Sequence, residues 1–274
     1  MPCRPVRPGT LVAREGQLRR FAAALVHRGR DPASLRGLAD LVAIETFKDG
    51  LRFFLERRGG TSSAIADLAA SLKAVARHWV AVDAAHLLRM AAVMRRLEVP
   101  RRGLTAKNRQ RLRPLDDPKT RLALLLLPQR LLHLAGQTRQ PCRAALLVQM
   151  ALAIELLLMT AVRGGNLAAI ELERHLVRPG RSRNAIHLVF APHEVKNGEC
   201  LEYPLPPESV ALLERYCTEF RPALAPAGST ALFPGRRGQP KGRPLLAGQI
   251  SATVFRHTGL RVHTHLFRHI GAKL

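Results

Sequence analysis

Residues 184–206 read NAIHLVFAPHEVKNGECLEYPLP, and here the apolar period changes from that of a helix to that of a strand. Side chains of an extended segment alternate between two faces, so NAIHLVFAPHEV and CLEYPL predict two strands. Lys196, Asn197 and Gly198 stand between them. Asn-Gly supplies the positive φ angles of a two-residue turn, so a tight hairpin with Lys196 before its turn is expected. Outward from this hairpin the spacing is helical. Upstream, two apolar helical segments run from Asp116 to Thr160. The second is interrupted from Ala144 on only by Gln149 and Glu155; it is short for a bilayer span and reads as a helix buried in a core. Downstream come a helix from about Pro207 to Phe220, a Pro/Gly-rich loop through Arg243, and two helical segments beginning near Ala247 and His265. The predicted class is mainly α with a small β-hairpin.

Before this region, FKDGLRFFLERR, SAIADLAASLKAVARHWVAV and DAAHLLRMAAVMRRL carry apolar residues three and four apart, which predicts a small helical domain over 38–99, preceded by an extension over 1–37. Gly59-Gly60 separates two of its helices, Thr61 or Ser62 is placed to cap the next, and Pro100 closes the series. Its basic residues read equally well as an ordinary solvated face. Next comes PRRGLTAKNRQRLRPLDDP, where Arg101, Arg102, Lys107, Arg109, Arg111 and Arg113 precede the first acid, Asp116. Pro and Gly prevent a long continuous helix, so 100–117 reads as an interdomain linker. A neutral spacer would not need a run of mutually repelling charges, so the linker is expected to follow a phosphate backbone.

A chain of 274 residues suits two domains. Lys plus Arg outnumber Asp plus Glu by 44 to 20, a formal charge of +24, and the sequence pI is about 11.6. This points to a polyanionic partner, nucleic acid first. Of the basic residues 37 are Arg, so part of the excess is compatible with a coding bias. Cys3, Cys142, Cys200 and Cys217 form no CxxC pair, so neither a zinc site nor a disulfide framework is expected, and they read as reduced, cytosolic thiols. No metal and no cofactor is implied. The basic N-terminus precedes no apolar h-region, so the expectation is a cytoplasmic, nucleoid-associated protein without a membrane partner. The 4% aromatic content weighs against an RNA-binding protein that stacks bases.

Three segments together carry a family resemblance. MTAVRGGNLAAIELERHL resembles the T-G-x-R-x-x-E-L-L-x-L pattern of tyrosine recombinases (phage integrases), with Arg163 at the first arginine. It departs at Ala161, where the family usually has Gly, at Asn166, where it usually has Glu, and at Arg174, where an acid is common. HEVKNGECLEYPLP is similar to the family's T-K…V-P-L strand pair and puts Lys196 at the lysine. HLFRHIGAKL resembles H-x-L-R-H, giving His265 and Arg268; His263 competes for the histidine role, and the three-residue spacing to Arg268 selects His265. The resemblance covers Asp116 to Leu274, and more loosely the N-terminal helices as a core-binding domain. It implies a helical core-binding (SAM-like) domain over 38–99 and a catalytic domain over 118–274, closing as a C-shaped clamp on double-stranded DNA, with other recombinase protomers as further partners.

The chemistry gives these residue types a reason to occur together. Phosphoryl transfer from DNA to a tyrosine passes through a phosphorane whose equatorial oxygens carry negative charge; without a metal, fixed cations must meet it. Two guanidiniums suit this because each is always charged and presents a planar fork. The resemblance gives that role to Arg163 and Arg268, proton delivery to the leaving oxygen to Lys196, and charge stabilisation or proton exchange to His265. Each residue singly has a bland explanation in ion pairing or solvation; their order, spacing and element types favour the family. A complete member continues to a nucleophilic Tyr, whereas Leu274 stands six residues past Arg268 and the only tyrosines, Tyr203 and Tyr216, precede His265. The expectation is therefore a truncated integrase of DNA recombination and integration, derived from a mobile element and catalytically incompetent as this chain, or an accessory DNA-binding protein or regulator descended from one.

Overall fold

The computed structural model describes residues 8–97, 103–180, 185–271 and 273. Arg101 and Arg102 of the basic run, and Pro100, Asn184 and Cys3, lie outside the described residues. The chain divides into two compact units, 1–103 and 104–274.

The first unit holds α1 (Pro8–His27), α2 (Leu38–Val42), α3 (Ile44–Arg58), α4 (Ser63–Val75) and α5 (Ala84–Arg95). Phe21 and Leu25 of α1 are buried with Phe47, Leu51, Leu72 and Met90, so α1 belongs to this core although its sequence read as an extension. The α1–α3 contact depends on Gly50: a Cβ there would lie 2.4 Å from the Phe21 ring. Gly59 ends α3 at φ 71°, and the Ser62 hydroxyl caps α4 by accepting from Ile65 N–H.

The second unit is built around α9 (Pro141–Thr160), with α6 (Ala106–Leu112), α7 (Pro118–Leu125) and α8 (Leu127–Gln137) before it. After it come α10 (Gly164–Ala168), α11 (Leu172–His175), β1 (Leu176–Val177), β2 (His187–Phe190), β3 (Leu201–Pro204), α12 (Pro207–Arg215), α13 (Arg243–Thr258) and α14 (Phe267–Ile270). Pro141–Thr160 is long and apolar enough to cross a membrane, but 67% of its apolar window is buried inside the protein. Its two polar interruptions are satisfied there: Glu155 accepts from the Ser209 hydroxyl at 2.6 Å, and Gln149 donates to the Tyr216 hydroxyl at 2.8 Å. The sheet is antiparallel in the order β1-β2-β3, with Leu188 opposite both Leu176 and Tyr203.

Three local expectations are corrected. Residues 106–112 of the supposed linker are helical, capped by Thr105, and Leu112 and Leu115 are buried in the second unit's core. The last long helix begins at Arg243 rather than near Ala247, because Pro244 fits the first turn, where its missing N–H has no intrahelical partner to lose. The third is the hairpin: β2 and β3 pair Phe190 with Leu201, so 191–200 form the connection and no two-residue turn joins the strands.

Candidate functional site

Arg163 is placed by the way the chain leaves α9. Ala161 ends the helix in the left-handed region, at φ 48° and ψ 29°. There a Cβ costs about 1–2 kcal/mol, which is a physical reason for the glycine that the resemblance leads one to expect. Arg163 follows in extended conformation at the start of α10. Behind it, Gly164 lies against Thr264; a Cβ there would meet the threonine Oγ1 at 2.8 Å. Only a glycine permits this approach, and the approach sets Arg163 beside the segment that carries His265 and Arg268.

That segment is anchored by Thr264, Leu266, Phe267 and Ile270, all buried. His265 and Arg268 are exposed and His263 and His269 half-buried. The His265 ring lies parallel to His263 at 6.3 Å and edge-on to His269 at 5.8 Å. Partial burial, followed by the positive charges of His269, Arg268, Arg163 and Arg243, holds the His265 imidazole below its ordinary value. His263 is lowered in the same way by burial, Arg111 and His265. The side chains of Arg111, Arg163, Arg243 and Arg268 form no hydrogen bond or ion pair among the described residues. Guanidiniums without protein partners near two imidazoles are groups that can meet a multiply oxygenated anion.

Lys196 does not join this group. It is exposed in the β2–β3 connection and is absent from the charges acting on His265. The connection takes its shape from Glu194. The carboxylate accepts from Ala191 N–H at 2.8 Å, from His175 at 3.0 Å and from Arg174 at 2.9 Å. The His175 Nδ1 accepts from Glu171 N–H at 2.9 Å, so Nε2 carries the proton given to Glu194. Asn197-Gly198 then complete a turn inside the loop, with Gly198 N–H donating to Val195 O at 3.2 Å. Arg174, one of the departures from the family pattern, thus has a structural partner. Lys107, Arg109 and Arg113 are exposed and Arg111 half-buried.

Burial raises the Glu194 carboxyl, but the hydrogen bonds from Ala191 and His175 and the Arg174 charge outweigh it and hold the group below the ordinary carboxylate range. A depressed folded-state value contributes stability above the unfolded value of about 4.3, and that contribution is lost as pH falls through the folded value. Glu194→Gln is expected to destabilise the second unit by about 1–2 kcal/mol near neutral pH, to speed amide exchange across 191–200, and to match the parent in acid. Urea unfolding with hydrogen exchange checks this; unchanged exchange in the loop would show that Glu194 does not hold it.

Neither tyrosine belongs to the site. Tyr216 is fully buried; its hydroxyl donates to Leu232 O at 3.0 Å, and burial drives its phenol far above the ordinary range. Tyr203 lies half-buried in β3. The sequence reading missed Arg243 and Gly164, and set His263 aside in favour of His265. Pro244 just after Arg243 and the Gly pair after Arg163 were available signals, one for a helix start and the other for a close approach.

No protein-family model matches the chain, and no curated protein does. Among solved structures, a lambda integrase (75-356) dimer bound to a COC′ core site is 14% identical, with 98% of this chain and 83% of that chain covered and a TM-score of 0.55. XerA recombinase is 13% identical over 94% of this chain and 82% of its own, at a TM-score of 0.37. XerH site-specific recombinase bound to a difH substrate is 11% identical over 94% and 84%, at 0.42. The likeness to lambda integrase establishes the fold.

Proposed function

We propose that this chain, which has the tyrosine recombinase fold, is a DNA-binding protein of the site-specific recombinase family that holds one backbone phosphate of duplex DNA. What supports this reading is that Gly164, next to Arg163, packs against Thr264, next to His265, and that the charges of Arg163 and Arg268, far apart in sequence, both act on the His265 imidazole. Two guanidiniums would hold the non-bridging oxygens, and His265, neutral in the free protein near pH 7, would become a proton donor once a phosphate raises its affinity for a proton. Lys196 rides on an anchored but exposed loop that would deliver its ammonium to the DNA when the duplex is bound. Lys107, Arg109, Arg111 and Arg113 extend the positive surface along the backbone. The lambda integrase structure is by its own description bound to a COC′ core site, and we propose double-stranded DNA as the partner of this chain.

The same reading makes residues 1–274 a binder rather than a catalyst by themselves. Cations lower the barrier only for an attack that a positioned nucleophile begins. Tyr216 is locked in the core and Tyr203 is paired in the sheet, so neither is placed to attack a phosphate held at Arg163 and Arg268. Incubation with nicked suicide duplexes tests this. Retained duplex with no covalent protein–DNA adduct is expected; an adduct lost on Tyr203→Phe or Tyr216→Phe would overturn it.

A further inference from the structure

We propose that Arg243 is a third guanidinium of this phosphodiester site, contacting the same backbone stretch as Arg163 and Arg268; the proposal rests on the DNA-binding reading above. Arg243 opens α13, whose rotation is fixed by the buried Leu246, Ile250 and Val254. It lies three residues before Leu246 and seven before Ile250, at the head of the buried stripe, so its stem leans toward the neighbouring element rather than straight into solvent. That neighbour is α10. Gly165 there has no side chain, and the Arg243 Cδ would be 3.9 Å from a Cβ at that position, so the arginine passes over the bare glycine one residue beyond Gly164 and two beyond Arg163.

Arg243 shares with Arg163 and Arg268 the lack of a side-chain partner among the described residues, whereas several arginines of the same unit are paired. Arg174 pairs with Glu194, Arg178 with Glu214 and Arg215 with Glu219, while Arg221 donates to the carbonyls of Ser229 and Ala231. The unit pairs these arginines yet leaves Arg163, Arg243 and Arg268 unpaired around His265. The effect of Arg243 on the His265 imidazole agrees with this placement. An anion bridging the three guanidiniums satisfies all of them at once.

The test compares the full chain with Arg243→Ala and Arg243→Lys by two readouts. The first is duplex affinity across salt concentrations. Arg243→Ala should bind about tenfold more weakly, and the slope of log K against log salt should fall by about 0.9, the change for one lost phosphate contact. Arg243→Lys should restore the slope and only part of the affinity, because the charge returns without the fork. The second is the NMR titration of His265 without DNA, alone and with inorganic phosphate. In Arg243→Ala the free midpoint should rise and the phosphate-induced change should shrink, at an unchanged melting temperature. A His265 midpoint unmoved by Arg243→Ala, or wild-type affinity and slope in that variant, overturns the proposal while leaving DNA binding intact. A wild-type chain that binds no duplex, yet shows a phosphate response at His265 that depends on Arg243, would remove the DNA reading and keep the site.

Discussion

Changing Arg163 and Arg268 together to alanine is expected to weaken duplex binding about a hundredfold or more. A hydrogen bond to a charged group contributes about 1.5–3 kcal/mol, and each ~1.4 kcal/mol is a factor of ten, so two lost contacts reach two orders of magnitude. The loss should be the same on every sequence, because phosphate contacts position a protein without reading bases. A pH signature should accompany it. His265 faces His263, His269, Arg163, Arg243 and Arg268, and in the free protein it binds a proton less readily than an ordinary imidazole. A bound phosphate raises that affinity, so the complex holds more protons than the free protein and wild-type binding tightens as pH falls from about 8 toward the free-state midpoint. Fluorescence anisotropy at fixed salt measures both effects. A double variant that binds like the parent would separate the arginine cluster from DNA.

The second large effect is on stability, at Gln149. Lys241 is buried, and its ammonium donates to Gln149 and, at 2.9 Å, to Gln249. Gln149 in turn donates to the Tyr216 hydroxyl, which donates to Leu232 O. No carboxylate pairs with Lys241 among the described residues, and burial pulls its ammonium below the ordinary value. Gln149→Ala removes one of two acceptors from a buried charge and leaves the phenol without its donor. Breaking a buried charged contact on one side costs about 3–5 kcal/mol. The folded-state value of Lys241 is lowered, so the charged form is the disfavoured one. The penalty should be full near pH 7 and shrink as pH rises through the folded value toward the unfolded value of about 10.4. Urea unfolding at the two pH values checks this, with Gln149→Glu as the milder variant because it gives Lys241 an anion. Equal loss at both pH values would place the cost in the cavity alone.

What the sequence disclosed follows from how local each signal is. The buried helix over 141–160, the strands at 187–190 and 201–204, and the Ser62 cap depend on neighbours in the chain, and their patterns were readable. Arg163, His265 and Arg268 were singled out through the resemblance, with spacing choosing His265 over His263. The form of the loop around Lys196 was not: Asn-Gly is a strong hairpin signal, but Glu194 reaches back to His175, a contact 19 residues away, and lengthens the connection. The run 106–115 read as a linker because its charges dominate, while Leu112 and Leu115, three apart, carry the packing. Arg243 escaped notice because its significance lies in a bare glycine on another helix. Gly50 is a similar case, meaningful only against Phe21 of α1.

The most direct test of the central claim is the salt dependence of binding to a duplex of arbitrary sequence. A protein that meets DNA through Arg163, Arg268 and the run from Lys107 to Arg113 releases counterions at each phosphate, so log K should fall linearly and steeply with log salt, by about 0.9 per contact. Reversal of Arg109, Arg111 and Arg113 to Glu should flatten that line and lower affinity on all sequences alike. Binding that does not change with salt, or no binding at low salt, would contradict the assignment.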